Sequence, residues 1–263
     1  MIKIDLITGF LGSGKTTFIK KYASYLLKKG MNIGILENDF GAVNVDMMLL
    51  QDLMGDNCEL EMVSGGCDAD CHRRRFKTKL IAMGMCGYDR VIVEPSGIFD
   101  VDEFFDALHE EPLDKWYEIG NVIAIVDAKL AEDFSAEADY LLASEVADAG
   151  CVLLSRSQEA TEEEIHSTKE HLNRALGQIQ CKRRLDSEIM DKNWDDFTDE
   201  DLEKILNCRY VAEDYVKESY AEGGGFDSLF FMNVHKSEGT LGNSRKDLER
   251  PVLRRCFPRK RFS

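Results

Sequence analysis

The stretch "GFLGSGKTTF", Gly9 to Phe18, follows the apolar run "IKIDLIT" and leads into a helix-like segment. Its spacing, Gly9-x-x-x-x-Gly14-Lys15-Thr16, is that of a phosphate-binding loop between a strand and a helix. The chemistry accounts for each residue type. Glycines let backbone N–H groups converge on phosphate oxygens where a Cβ would block the approach. The following helix directs its positive dipole end at the same oxygens. Lys15 can reach the β and γ oxygens as a point charge, and Thr16 offers a hydroxyl to Mg²⁺. Gly9, Gly12, Ser13, Gly14, Lys15, Thr16 and Thr17 are the expected nucleotide-binding set.

Such a loop needs a parallel sheet around it, and the rest of the chain supplies the pattern for one. Strands are expected over 1–8, 32–38, 58–64, 90–95, 121–128 and 151–155, several as near-continuous apolar runs suited to burial on both faces. Helices are expected near 14–29, 43–54, 71–85, 101–109, 136–148 and 161–176. This alternation predicts an α/β fold, a P-loop NTPase with a mostly parallel sheet flanked by helices. After about residue 180 the pattern loosens. Thr198, with Asp201 three residues on, reads as a helix N-cap, and "EGGGF" (222–226) reads as a break. "FDSLFFMNVH" (226–235) then reads as a strand opening a short C-terminal α+β unit that the chain does not complete. The expected organisation is a nucleotide-binding domain over 1–180, a helical linker over 181–225, and a C-terminal unit with a basic tail over 226–263.

Bulk properties narrow the function classes. A hydrophobic share of 44% allows a substantial core. The net charge of −16, with an excess of six positive charges confined to residues 245–263, lacks the broad basic face of a nucleic-acid-binding protein. No apolar run approaches the roughly 20 residues needed to span a bilayer, and no signal peptide is recognisable, so a cytoplasmic protein without membrane partners is expected. The eight cysteines are scattered, which suggests reduced thiols. Cys86, Cys151 and Cys208 lie in or beside apolar segments and read as small core residues.

Two further strand ends carry chemistry. In "VIVEPSG", Glu94 closes an apolar strand as a candidate magnesium ligand, and Gly97 lets backbone pass close to a γ-phosphate. In "ENDFG" (37–41), Asp39 is the candidate magnesium or water partner and Glu37 a candidate ligand of a second metal, in a segment suited to sense the γ-phosphate. Lys15, Asp39 and Glu94 are the expected catalytic residues. A last stretch, "GGCDADCHRRRF" (65–76), sets Cys67, Cys71 and His72 beside Arg73, Arg74 and Arg75. Its spacing fits a soft metal site and a reduced cysteine pair at a helix start about equally.

"GFLGSGKTT", "ENDFG", the cysteine segment and "EPSG" together resemble the metallochaperone P-loop GTPases, the group of CobW-type, urease-accessory and hydrogenase-accessory proteins, and most closely the CobW-like branch, over roughly residues 1–180. The resemblance implies a GTP- and Mg²⁺-dependent protein that delivers a zinc- or cobalt-type metal, or assists metal-cofactor insertion, into a metal-dependent client protein, with a homodimer among the assemblies it allows. It favours metal binding at Cys67, Cys71 and His72, with Glu37 or water as fourth ligand, although the family's Cys-x-Cys-Cys is here Cys67-Asp-Ala-Asp-Cys71-His72. It also marks the base-reading position. Where the family has Asn-Lys-x-Asp, this chain has Ser155-Arg156-Ser157-Gln158, and the neutral Gln158 weakens guanine selection by about 1–3 kcal/mol. Arg156 remains able to stack on a base. Two alternatives stand beside this reading: an ATP-dependent small-molecule kinase-like transferase, and a nucleotide-gated interaction protein with slow turnover.

Overall fold

In the computed structural model, residues 1–39, 46–64, 69–95, 101–131 and 134–216 are described. Cys67, Gly97, the 226–235 strand and the basic tail lie outside them.

Among the described residues, seven strands form one parallel sheet in the order β3-β2-β4-β1-β5-β6-β7. They are β1 (Ile2–Thr8), β2 (Ile33–Asp39), β3 (Cys58–Ser64), β4 (Arg90–Pro95), β5 (Tyr117–Asp127), β6 (Cys151–Ser155) and β7 (Ile189–Met190). The helices between them are α1 (Lys15–Lys28), α2 (Asp46–Leu50), α3 (Ala69–Met83), α4 (Val101–His109), α5 (Leu113–Trp116), α6 (Ala136–Ala147) and α7 (Glu162–Gln178), and α8 (Asp199–Leu206) follows β7. The expected helix over 43–54 is α2 plus a single 3₁₀ turn, Gln51–Leu53. β7 has no periodic signature, because two residues are too few to show one. Met1–Val216 forms one compact unit.

The continuous apolar strands are explained by cover on both faces. Val91, Ile92 and Val93 of β4 are all fully buried. Val91 and Val93 join Leu36 and Val126 against Phe76 and Leu80 of α3, Phe104 of α4 and Leu142 of α6. Ile92, with Ile35 and Ile125, packs instead against Phe18 and Tyr22 of α1 and Ile205 of α8. Two capping boxes start helices: Thr198 with Asp201 for α8, as its spacing predicts, and Thr161 with Glu164 for α7, which was not singled out in the sequence.

Beneath this core a polar knot ties four elements together. Asp5 of β1 is fully buried and accepts from Arg90 Nη1 at 2.5 and 2.6 Å, from the Tyr22 hydroxyl at 2.8 Å and from the Asn121 amide at 2.8 Å. Burial pushes its carboxyl up, and these four contacts, Arg90 foremost, pull against that. The Asn121 side chain extends the knot to the segment after α8, donating to Leu206 O and accepting from the Arg209 amide.

The six cysteines among the described residues are all free thiols. Cys151 is buried and Cys208 partly so, whereas Cys86 is exposed. The core reading of Cys86 is therefore corrected. α3 ends at Met83, and the chain turns there, with Cys86 N–H donating to Met83 O, so its apolar neighbours do not enclose it.

Candidate functional site

The loop leaving β1 is shaped for an anion. Gly9 has φ +139°, and a Cβ there would stand 2.3 Å from the Ile125 carbonyl oxygen, so only glycine lets the loop lie on β5. Gly14, at φ 102°, is the N-cap of α1. It offers no side-chain cap, and the first turn carries no acidic residue, which leaves the amides at the start of this 14-residue helix available to phosphate. Lys15 Nζ rests on the loop's own carbonyls, 2.8 Å from Gly9 O and 3.3 Å from Phe10 O. Ser13 is buried and Thr17 exposed at the rim.

The Thr16 hydroxyl donates to Glu94, 3.0 Å from Oε1 and 3.1 Å from Oε2. Parallel pairing of β1 with β4 brings these residues together across 78 positions. A hydroxyl and a carboxylate are hard oxygen donors of the kind Mg²⁺ takes, so the pair fits that ion. Glu37 pairs in register with Glu94 and leaves the same face of the sheet, buried at 2% exposure. Asp39 ends β2.

From Cys71 on, the cysteine segment lies toward the other face. Cys71 and His72 lie in the first turns of α3, Cys71 partly exposed and His72 buried. His72 shares its helix face with Phe76 and Leu80, which pack on the Leu36 and Val93 side of the sheet, opposite Glu37. Among the described residues no three His, Cys, Asp or Glu side chains gather as a metal cluster. Arg73, Arg74 and Arg75 are exposed, and Arg73 turns toward α4, donating to Glu110 at 3.1 Å.

The turn expected to read the base follows β6 and lies across the loop from the turn after β7. Arg156, in the left-handed region at φ 55°, donates through Nη2 to Gly12 O at 2.5 Å and through Nη1 to Asp127. It thus clasps the rim of the loop. Ser155 and Ser157 are buried, and Gln158 is exposed. Trp194, not singled out in the sequence, packs edge-on against Phe18 with ring centroids 5.7 Å apart and lies beside Gly14. Glu145, buried on α6, was also unmarked. Its burial was not legible from a helix period, because Leu142 to Asp148 are buried on every side of the helix.

A profile of the family described as "CobW/HypB/UreG, nucleotide-binding domain" matches residues 3–184. Among curated proteins, the zinc chaperone YjiA of Escherichia coli (strain K12) is 29% identical over 184 residues, which are 65% of this chain and 55% of that protein. The zinc chaperone YeiR of the same organism is 30% identical over 166 residues, 62% of this chain and 49% of that protein. The chain thus spans about half the length of these relatives. Among solved structures, a zinc-bound triple-substituted variant of the YjiA GTPase is 25% identical, with TM-score 0.46, covering 79% of this chain and 61% of that one. The hydrogenase maturation factor HypB from Archaeoglobus fulgidus is 16% identical, with TM-score 0.49, covering 79% of this chain and 91% of that one.

Proposed function

This chain belongs to the CobW/HypB/UreG family, and from that premise we propose that it is a magnesium-dependent GTPase that delivers zinc to a metal-dependent client protein. The observation that carries the nucleotide half is the Thr16 hydroxyl already aimed at both oxygens of Glu94. Zinc as cargo is supported by the names of the curated relatives.

The residues divide the work. The amides from Gly9 to Thr17 bind the phosphates, and Lys15 exchanges two loop carbonyls for the β and γ oxygens. Thr16 and Glu94, with Asp39, hold Mg²⁺, which supplies charge neutralisation on the transferring phosphoryl group. Asp39 orients the attacking water, and Gly97 lets the backbone close on the γ-phosphate. Arg156 borders the base, and the neutral Gln158 leaves guanine selection relaxed. Cys67, Cys71 and His72 hold the cargo with water as fourth ligand; Glu37, the alternative expected from sequence, leaves the face of the sheet opposite His72. Two thiolates and an imidazole suit zinc, and cobalt is the second candidate. The segment 37–41, expected to sense the γ-phosphate, couples the nucleotide to the cargo site. That coupling is reciprocal: if GTP tightens zinc binding, zinc tightens GTP binding.

The organisation that goes with this reading is a nucleotide-binding domain that extends past the expected limit at 180 to Val216, because β7 joins the sheet and α8 packs into the core, followed by a C-terminal unit. Cytoplasmic location belongs to the same proposal. Among the described residues no helix is long and apolar enough to cross a membrane. The decisive experiment is a calorimetric titration of Zn²⁺ into reduced protein, with and without Mg²⁺–GTP, repeated on Cys67→Ser. One-to-one binding that requires Cys67 and strengthens with nucleotide supports the proposal. Binding indifferent to both removes the zinc half of it.

A further inference from the structure

A basic helix face lies on an acidic chain, and neither phosphate nor metal accounts for it. α3 carries Arg73, Arg74, Arg75, Lys77 and Lys79 against one acidic residue, Asp70, in a chain of net charge −16. The three arginines are exposed, and both lysines partly so. Where α3 meets the end of α4, an open cleft of about 200 Å³ is lined by Arg73, Arg74, Lys77, Ala107 and Glu110. Glu110 indicates what this cleft accepts. Its Oε1 accepts from Arg73 Nη2 at 3.1 Å, and its Oε2 accepts from Lys77 Nζ. Among the described residues that line the cleft, three cations thus surround one carboxylate.

The cleft adjoins a cargo residue. Arg74 stands three positions from Cys71 and three from Lys77, so on the helix surface it neighbours both. Cys71 and Lys77 are about 9 Å apart along the helix axis. A partner seated on Arg74 and Lys77 therefore comes within reach of the Cys71 thiol, which is partly exposed. The contacts to Glu110 are also open to exchange. The side chains of Glu110, Arg73 and Lys77 are 44%, 43% and 28% exposed, and ion pairs so open to water yield to an incoming carboxylate at small cost.

We propose that the cleft between α3 and α4 is a docking site for an acidic peptide segment of the client protein, whose carboxylates replace Glu110 on Arg73, Arg74 and Lys77 beside Cys71. This inference rests on the metal-delivery reading above, because the client is the partner that must come next to Cys71. Charge selects the occupant. Outside α3 and residues 245–263 the chain carries an acidic excess that repels an acidic partner, which confines attraction to the basic face. Carboxylates suit the cleft because Glu110 already sits between two of its cations with one oxygen on each.

The test is fluorescence anisotropy of a short fluorescein-labelled peptide of alternating Glu and Asp, titrated with the reduced, metal-free full chain at low salt. Saturable binding is expected in the wild type. It should weaken roughly tenfold or more when Arg74→Glu and Lys77→Glu are combined. It should tighten in Glu110→Gln, where the resident carboxylate no longer competes. Reversal of the tail charges by Arg254→Glu with Arg255→Glu should leave it unchanged. No binding, or binding lost in the tail variant and kept in the α3 variant, overturns the inference while leaving the zinc reading intact. Stronger competition by a single-stranded oligonucleotide of equal charge overturns it as well. Should the α3 variant not fold, unchanged affinity in Glu110→Gln still refutes the exchange. Peptide docking in a protein whose zinc binding ignores Cys67 removes the client as occupant, and the proposal with it.

Discussion

Gly9→Ala places a methyl group where the loop crosses β5. The added Cβ stands 2.3 Å from the Ile125 carbonyl oxygen and 2.9 Å from Ser13 Oγ, and the first is backbone that cannot swing away. The residue must also keep φ at +139°, a conformation essentially reserved for glycine, at about 1–3 kcal/mol. Forcing β1 and β5 apart adds about 1–3 kcal/mol of overpacking. The sum, roughly 2–6 kcal/mol, corresponds to a melting-temperature loss of about 4–24 °C for a unit of this size. Gly12→Ala is the matched control: it too has positive φ, +77°, but its Cβ meets nothing within 4 Å. Its cost is the backbone term alone, about 1–2 kcal/mol. Thermal melts of both variants, with binding of a fluorescent guanine nucleotide measured alongside, separate the two effects. Gly9→Ala should melt well below Gly12→Ala and lose nucleotide binding, because relieving the clash moves the amides that hold phosphate. Equal melting of the two, or nucleotide affinity retained in Gly9→Ala, would refute the steric argument.

Arg90→Met leaves Asp5 buried without its guanidinium, and denaturant titration should show a loss of about 3–5 kcal/mol; restoration of much of that loss by adding Asp5→Asn would trace it to the pair, and its persistence would trace it to packing. Thr16→Val removes the hydroxyl facing Glu94 and should weaken Mg²⁺–nucleotide binding by about 1–3 kcal/mol, with little change in Mg²⁺-free binding; equal losses with and without the ion would count against the magnesium assignment. Gln158→Asp restores a carboxylate able to accept two guanine hydrogens, and competition assays should show GTP gaining on ATP by about 5–150-fold, an unchanged ratio meaning that the base does not reach this turn.

The phosphate loop was legible because its chemistry is local: glycine conformations, a helix start and a reaching lysine all lie between Gly9 and Thr17. The flanking strands were legible through their apolar runs, down to Arg90–Pro95 and Cys151–Ser155, whose limits match the observed ones. Where reading by neighbourhood failed, as at Cys86, a turn separated the residue from the apolar groups beside it. Glu94 and Thr16 were each marked by their own motif, yet their contact comes from β1 lying next to β4 in a sheet whose order is not the chain order.

Period and composition state that a side chain is buried, not beside whom. That Trp194 lies beside Gly14, and that Glu37 and His72 face opposite sides of the sheet, follow from parallel crossovers that join distant segments. Electrostatic and packing energies depend on distance in space, which local patterning does not encode. The loop's ability to bind phosphate could therefore be read along the chain, whereas its neighbouring charges appeared only once the layers had closed.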